Sequence, residues 1–438
     1  MSKLLMKTSH MSEILVGKVI ALNSEGQGIV REDKLVVFIP FTTPGDTIRY
    51  HIVKRKKNFA TGKLLAVLKP SLQRVKPLCR YYGECGGCQL QHLTYEAQLE
   101  NKRQIIENAL IRIGKFSKLT VLPVVAAQMN WMYRRHITLK IIPHQGFFRA
   151  GYIAIDNQTL LPIQHCPLFL AEDNVALAEV QTLLGKISSQ QATEGRATLF
   201  KTEVNQLILS LNFEKLNKIE AEIIEEFLKQ FPRWKGVIVK GGSKKWVWGD
   251  PTNFLAVGHL KFLCSPEVFI QNHAEQSLKI YQQIIDLFSK KKQATILDLY
   301  CGIGISSLLL SQQGHRVIGI EYNPLAIAMA KENACLNRLT TPQFIEGDVE
   351  KVLQKELHDQ HADIIILNPP RQGITPAVGV EILRRCPQEI IYVSCMPSTL
   401  ARDLSLICVQ GYRISLIQPY DMFPQTSHVE TLVHLIRS

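Results

Sequence analysis

A chain of 438 residues, 46% hydrophobic and 20% charged, has room for roughly two to four domains and is too apolar to be disordered. Its 51 Lys and Arg against 38 Asp and Glu leave a formal net charge of +13, which suits a polyanionic partner and also plain solubility. The sequence lacks the run of about 18 apolar residues that spans a bilayer, and Met1–His10 lacks the apolar core of a secretion signal, so a cytoplasmic protein with no membrane partner is expected.

The first elements are short β-type runs at Ile14–Ile20, Gly28–Val30, Lys34–Ile39, Thr47–Val53 and Gly62–Val67, broken at Ser24-Glu25-Gly26, Glu32-Asp33 and Pro44-Gly45-Asp46. Their even spacing predicts a small five-stranded, OB-like β-barrel over residues 12–70. Arg49, Lys54, Arg55, Lys56, Lys57, Lys63, Lys69, Arg74, Lys76 and Arg80 crowd this stretch with few acids between them. That is the pattern of a phosphate-binding surface and equally of a solvated face.

Residues 71–264 open on a glycine-rich turn in which Cys79, Cys85 and Cys88 surround Gly83, Gly86 and Gly87, while Cys166 precedes Pro167 much later. Three clustered thiols and one distant thiol can close a four-thiolate site, for zinc or for an iron–sulfur cluster. Apolar residues at helical spacing predict a helix over Tyr95–Ile113 and another over Ile219–Gln230. Strands are expected at His136–Ile142, Leu207–Leu211 and Gly236–Val239, which makes this middle domain α+β with a metal cluster. Trp131-Met132-Tyr133-Arg134-Arg135-His136 interleaves aromatic and basic side chains, as RNA surfaces do, although a junction with solvated arginines has the same composition.

From residue 265 to 438 the pattern becomes regular βαβ. A helix over Ala274–Ser289 precedes apolar strands at Ala294–Asp298, Arg316–Glu321, Asp363–Leu367, Glu389–Ser394 and Tyr412–Ile417, with helical patterns between them. Strands apolar throughout are those of a parallel sheet buried on both faces, so a doubly wound α/β domain is expected. In Leu297-Asp298-Leu299-Tyr300-Cys301-Gly302-Ile303-Gly304 a strand end opens into a helix over Ser306–Gln312, where small residues and a helix N-terminus let a ligand approach the backbone. Glu321 ends the next strand, where a carboxylate can accept from ribose hydroxyls, and Gly347-Asp348 places another acid after the third strand-like segment. Cys395 follows the strand Glu389–Ser394, where a doubly wound sheet presents reactive groups.

The glycine turn, Glu321 and Asp348 in this order resemble the S-adenosylmethionine-dependent methyltransferase fold. Phe269-Ile270-Gln271, the Asp298–Gly304 loop, Asn368-Pro369-Pro370-Arg371-Gln372-Gly373, Ser394-Cys395-Met396-Pro397 through Asp403, and Phe423-Pro424-Gln425 through Glu430 are similar, in order, to the RNA 5-methyluridine methyltransferase family. The barrel, through Gly26-Gln27-Gly28 and Pro44-Gly45-Asp46, resembles the RNA-binding TRAM domain. With the cysteine turn and Cys166-Pro167-Leu168, the whole resembles the bacterial 23S rRNA (uracil-C5)-methyltransferases that carry a TRAM domain and an iron–sulfur cluster.

The resemblance implies methyl transfer from S-adenosyl-L-methionine to C5 of a uridine in a 23S rRNA loop, by a monomer. It implies Cys395 as the nucleophile that adds to the uracil ring and Glu430 as the base that removes the C5 proton. Gln271, Tyr300, Glu321, Asp348 and Asn368 are implied at the cofactor pocket, and Cys79, Cys85, Cys88 and Cys166 as ligands of a 4Fe–4S cluster.

Two positions depart from the family pattern. Asn368 stands where aspartate is usual; an amide can still accept from uracil N3–H and donate to O4. Asn272-His273 replaces an asparagine two residues after the glutamine. Three alternatives stay open: tRNA as substrate, disfavoured because tRNA members typically lack barrel and cluster; an RNA-binding or assembly factor silenced at Asn368; and an amino-group methyltransferase, for which Arg371 is the wrong residue after the prolines.

Overall fold

The computed structural model describes residues 14–169, 174–289, 291 and 293–438, so the leader reading of Met1–His10 lies outside the described residues. The chain forms two compact units. The smaller gathers the described residues through Gly83, Gly87–Asn101 and Gln425–Ser427; the larger gathers Glu84–Gly86, Lys102–Pro424 and His428–Ser438.

In the smaller unit, β1 (Ile14–Lys18), β2 (Ala21–Leu22), β3 (Gly28–Glu32), β4 (Leu35–Ile39), β5 (Thr47–Arg55) and β6 (Phe59–Lys69) form one sheet in the order β1-β5-β6-β4-β3-β2. The run expected as one strand over 14–20 is broken: β1 pairs with β5, and beyond it the Ile20 N–H donates to the Ile29 carbonyl at 2.9 Å, turning the chain onto β3. Alternate residues point inward and bury Val19, Val30, Val37, Ile39, Ile48, Tyr50 and Ala60. A Cβ on Gly28 would lie 1.9 Å from Thr42 Oγ1, so only glycine fits. Asp46 is buried and accepts from the Thr43 and Ser71 N–H groups at 2.7 and 2.8 Å and from Arg74 at 2.6 Å. Burial pushes its carboxyl up, but Arg74 and these donors hold it below the ordinary value. Arg74 is therefore an internal brace rather than part of the basic face, whereas Arg49, Lys54, Arg55, Lys56, Lys57, Lys63, Lys69, Lys76 and Arg80 are exposed.

Helix α1 (Tyr95–Arg112) ends one residue before the expected boundary. In the larger unit β7 (His136–His144), β8 (Phe147–Ile153), β9 (Leu160–Leu161), β10 (Gly195–Lys201), β11 (Leu207–Phe213), β12 (Trp234–Gly241) and β13 (Lys244–Gly249) make a sheet in the order β13-β12-β11-β10-β7-β8-β9. Helices α2 (Val175–Leu184) and α3 (Ala221–Gln230) belong to it; α3 supplies the crossover that makes β11 and β12 its parallel pair. A separate hairpin, β14 (Asn253–Val257) and β15 (Leu260–Cys264), follows.

The last third alternates helix and strand: α4 (Ala274–Phe288), β16 (Thr295–Leu299), α5 (Ile305–Gln312), β17 (Arg316–Glu321), α6 (Pro324–Leu336), β18 (Gln343–Glu346) and α7 (Val349–Gln354). Then come β19 (Ile364–Leu367), α8 (Pro376–Arg385), β20 (Glu389–Ser394), α9 (Pro397–Cys408), β21 (Tyr412–Tyr420) and β22 (Glu430–Arg437). The sheet order is β18-β17-β16-β19-β20-β22-β21. Strands β16 to β20 are parallel, as expected, but β22 runs antiparallel between β20 and β21, so the sheet is mixed at that edge. Leu297, Leu299, Ile365, Leu367 and Ile390 fill one face with Leu400 and Leu404; Ile296, Ile364, Ile366 and Ile391 fill the other with Ile280 and Ile284. The strand order reverses between β16 and β19, and the loops after these two strands, at 300–304 and 368–373, lie where a crevice forms. Among the described residues no helix is long and apolar enough to cross a membrane.

Candidate active site

Tyr300 leaves β16 with φ of +65°, a conformation few side chains adopt. Burial, then the carboxylates of Asp348, Asp403, Glu350 and Glu321, push its hydroxyl up to about 12, so Tyr300, Glu321 and Asp348 share one electrostatic neighbourhood. Glu321 accepts from the Gly302 N–H at 3.2 Å and the Asn323 N–H at 2.9 Å, which ties the glycine turn to the end of β17. Asp348 is exposed and caps α7 through the Lys351 N–H at 3.2 Å. Asp298, in β16, is 1% exposed and accepts from the Ser306 and Ser307 hydroxyls at 2.6 Å each. Burial pushes it up to about 6 despite these donors, so the residue braces the start of α5.

A cleft opens on this turn. Gln271, Tyr300, Gly302, Ser306, Asn368 and Arg135 supply its polar lining, and Val257, Phe269, Ile270, Leu278 and Tyr281 its apolar lining. Glu321 and Asp348 are not in its wall but act on it through Tyr300. Apolar surface with few fixed polar groups fits a nucleoside carrying a charged amino-acid arm, the chemical form of S-adenosylmethionine. The departure after Gln271 has a structural cause. The Asn272 side chain accepts from the His136 N–H at 3.2 Å and donates to the His136 carbonyl at 3.0 Å. His273 is buried and stacks on Tyr133 with ring centroids 4.7 Å apart. Within the aromatic and basic segment Tyr133 is buried, its hydroxyl donating to the Pro424 carbonyl at 3.1 Å, while Met132 is exposed and Arg135 makes a partly exposed pair with Glu203 at 2.9 Å.

Cys395 is half-buried, one residue beyond β20, and Glu430 opens β22 at 2% exposure. Ser394 pairs with Thr431 in the ladder, which sets Cys395 and Glu430 opposite one another at its end. Burial pushes the Glu430 carboxyl up to about 8, with the Arg371 guanidinium pulling the other way. Burial, then the Glu430 charge, push the Cys395 thiol up, while Arg371 acts against both through its charge and a hydrogen bond. His428 is pushed down to about 4 by burial and by Arg371, Lys102 and Arg134, so it is neutral at pH 7. Lys102, fully buried, pairs with Asp421 and donates to the Phe423 carbonyl at 2.9 Å, fixing the chain ahead of Glu430. A thiol and a carboxyl held near neutrality can serve as nucleophile and base on one substrate.

Arg371 stands in the Asn368–Gly373 motif, and the backbone there is held by contacts with α9. The Thr399 hydroxyl donates to the Arg371 carbonyl at 3.1 Å, and Arg402 to the Gln372 carbonyl at 2.9 Å. Asp403 accepts from the Ile374 N–H at 3.0 Å and the Tyr392 hydroxyl at 2.6 Å. Gly373 sits at φ of +76°, and a Cβ there would lie 2.3 Å from Asp403 Oδ2.

The cysteine expectation fares differently. Cys79 and Cys88 belong to the smaller unit, Cys85 and Cys166 to the larger. Cys85 and Cys166 both act on the buried Tyr152 hydroxyl, and Cys85 bridges to Ala154. Among the described residues no three of His, Cys, Asp or Glu are arranged to hold a metal ion, so a four-thiolate centre made by Cys79, Cys85, Cys88 and Cys166 is not preformed.

Residues 94–438 match the family described as tRNA (uracil-5-)-methyltransferase, and residues 15–72 match the TRAM domain described for tRNA (uracil(54)-C(5))-methyltransferase. An RNA methyltransferase of Protochlamydia amoebophila is 46% identical over 420 residues, covering 96% of each chain. One of Halalkalibacterium halodurans is 32% identical over 94% of this chain and 95% of its own. The crystal structure of Pyrococcus abyssi tRNA (uracil-54, C5)-methyltransferase with S-adenosyl-L-homocysteine shares the fold, at a TM-score of 0.75 and 24% identity over 96% of this chain and 100% of that one. With a cleft suited to S-adenosylmethionine beside a thiol and a carboxyl, these matches establish that the chain belongs to the RNA (uracil-5)-methyltransferase family, as a TRAM-containing, S-adenosylmethionine-dependent enzyme.

Proposed function

We propose that the enzyme makes 5-methyluridine at a specific uridine of 23S rRNA through a covalent adduct between Cys395 and the base. The observation that carries this reading is the placement of Cys395 opposite Glu430 at the end of the β20–β22 ladder. Bound S-adenosylmethionine supplies an electrophilic methyl group. The Cys395 thiolate adds to uracil C6, and the C5–C6 π electrons move toward O4, making C5 a nucleophile. C5 takes the methyl group with release of the thioether S-adenosylhomocysteine; the ionised form of Glu430 then takes the C5 proton, the double bond re-forms and the thiolate leaves. In this reading Gln271, Tyr300, Glu321 and Asp348 hold the cofactor. Asn368, on the cleft wall, pairs with N3–H and O4 of uracil.

The same proposal divides the chain into a TRAM-like RNA-binding barrel at 12–70, a middle domain at 71–264 and a methyltransferase domain at 265–438, working as a cytoplasmic monomer. A 4Fe–4S cluster on Cys79, Cys85, Cys88 and Cys166 is part of it; the two thiols beside Tyr152 support half of that ligand set. The cysteine set is what favours 23S rRNA. A second reading, tRNA, is favoured by the matched family and by the Pyrococcus abyssi enzyme. The barrel no longer argues against tRNA, because the matched TRAM domain is itself that of a tRNA methyltransferase. Mapping 5-methyluridine in 23S rRNA and tRNA from cells with and without the gene separates the two. Loss of one 23S rRNA position supports the proposal, and loss confined to tRNA replaces it with the second reading.

A further inference from the structure

We propose that Arg135 binds the carboxylate of the cofactor's amino-acid arm, so that one corner of the cleft is an anion subsite. The inference rests on reading the cleft as the S-adenosylmethionine site.

At pH 7 S-adenosylmethionine carries a positive sulfonium, a positive ammonium and a single anion, its carboxylate. A cleft that takes it gains most by meeting that carboxylate with a fixed cation. Among the described residues lining the cleft, Arg135 alone carries a charge. Its companions in the wall include Gln271, Gly302, Ser306 and Asn368, whereas Glu321 and Asp348, the acids read as meeting the nucleoside, lie outside it. The wall that holds Arg135 therefore faces the amino-acid end. The start of α5 is the rival anchor, because a helix N-terminus favours anions, and Ile305 and Ser306 of its first turn also line the cleft. Buried Asp298 already lies against that end and takes the Ser306 and Ser307 hydroxyls. A second carboxylate there would face the first.

Arg135 is fixed from both sides by backbone. Its N–H donates to the Asn272 carbonyl at 3.2 Å, and its carbonyl accepts from the Lys201 N–H at 2.8 Å. Arg134 and His273 form an antiparallel bridge beside this contact, which brings Arg135 and Gln271 to one wall. The departure at Asn272 completes the clamp, since its side chain both accepts from and donates to the His136 backbone. On the guanidinium, one nitrogen pairs with Glu203 at 2.9 Å. The group presents several N–H donors in a planar fork, so one edge can hold Glu203 while another meets a carboxylate. Glu203 also offsets a positive charge that would otherwise repel the sulfonium.

The test is equilibrium binding by calorimetry, using the full-length protein without RNA and two probes. One is S-adenosylmethionine. The other is decarboxylated S-adenosylmethionine, which keeps the nucleoside, the sulfonium and the ammonium and lacks the carboxylate. The native protein should prefer the intact cofactor by about tenfold or more, the scale of one charge-assisted pair. Arg135→Met should weaken S-adenosylmethionine by about tenfold and leave the decarboxylated probe within about twofold, so the preference collapses. Arg135→Lys should restore part of it, and Arg135→Gln carries the same comparison if the Met variant does not fold. Equal losses for both probes, or a preference that survives in Arg135→Met or Arg135→Gln, would overturn the inference, because the arginine would then act on the fold and not on the carboxylate. A native protein that binds neither probe would instead overturn the reading of the cleft beneath it.

Discussion

Replacing Glu430 by glutamine should stabilise the protein, by an amount that grows as pH rises from about 4.5 to about 8. The carboxyl is 2% exposed and sits at about 8, against an ordinary value of 4.5. Between those pH values the unfolded chain carries an ionised Glu430 and the folded chain a protonated one, so folding takes up a proton. The contribution is fully present below about pH 4.5, declines as pH rises and is lost above about 8. At about 1.36 kcal/mol per pH unit the gap corresponds to about 5 kcal/mol. Glutamine keeps the shape and stays neutral. A chain of this size need not unfold in one step, so the assay is the apparent melting temperature of native protein and Glu430→Gln from pH 5 to pH 9. The two should melt together at pH 5 and diverge steadily, with the variant several degrees higher at pH 8.5. A difference that does not change with pH, or a variant that is less stable at pH 8.5, would refute the argument that burial raises this carboxyl.

Asn368→Asp, which restores the family's usual residue, should retain activity, whereas Asn368→Ala should lose about 1–3 kcal/mol of transition-state binding, or roughly ten- to a hundredfold in kcat/KM; an inactive native protein rescued by Asn368→Asp would mean the position had silenced the site. Anaerobically purified protein should be brown and hold about four iron and four sulfide per chain, and stoichiometric zinc without sulfide would replace the cluster. Neutralising Lys54, Arg55, Lys56 and Lys57, all exposed at the end of β5 and in the turn to β6, should reduce the salt dependence of RNA affinity by about 3 in log–log slope, as measured by filter binding from 50 to 300 mM salt. An unchanged slope would take this turn out of the RNA contact.

The parallel strands were legible because burial on both faces leaves nothing but apolar residues, as in Ile364–Leu367, and that pattern needs no partner to be recognised. The strand β22 was not, because Glu430, Thr431 and His434 interrupt its apolar run. Their burial is made tolerable by groups far away in sequence, such as Glu389, which meets His434 at 2.7 Å. Missing that strand hid the antiparallel edge, and with it the facing of Cys395 and Glu430. The edge strand β13 escaped notice for another reason: its Lys244-Lys245-Trp246 start is largely solvated. At the site, motif order singled out Gln271, Tyr300 and Asn368, which line one cleft, and Cys395 and Glu430, which face each other at the end of the β20–β22 ladder. What the motifs could not carry was direction. Arg371 was visible as a letter, but the course of its loop depends on Thr399, Arg402 and Asp403, about thirty residues on. Arg74 and Asn272 erred the other way, looking like surface and like a broken motif when each is a brace.

The central claim is that Cys395 bonds to the base and Glu430 releases it. Incubating Glu430→Gln with S-adenosylmethionine and an rRNA fragment, then digesting the denaturation-resistant product for mass spectrometry, tests both halves at once. The account predicts a peptide carrying a methylated uridine on Cys395, absent in the Cys395→Ala, Glu430→Gln double variant. An adduct on another residue, or native-rate 5-methyluridine formation by Cys395→Ala, would contradict it.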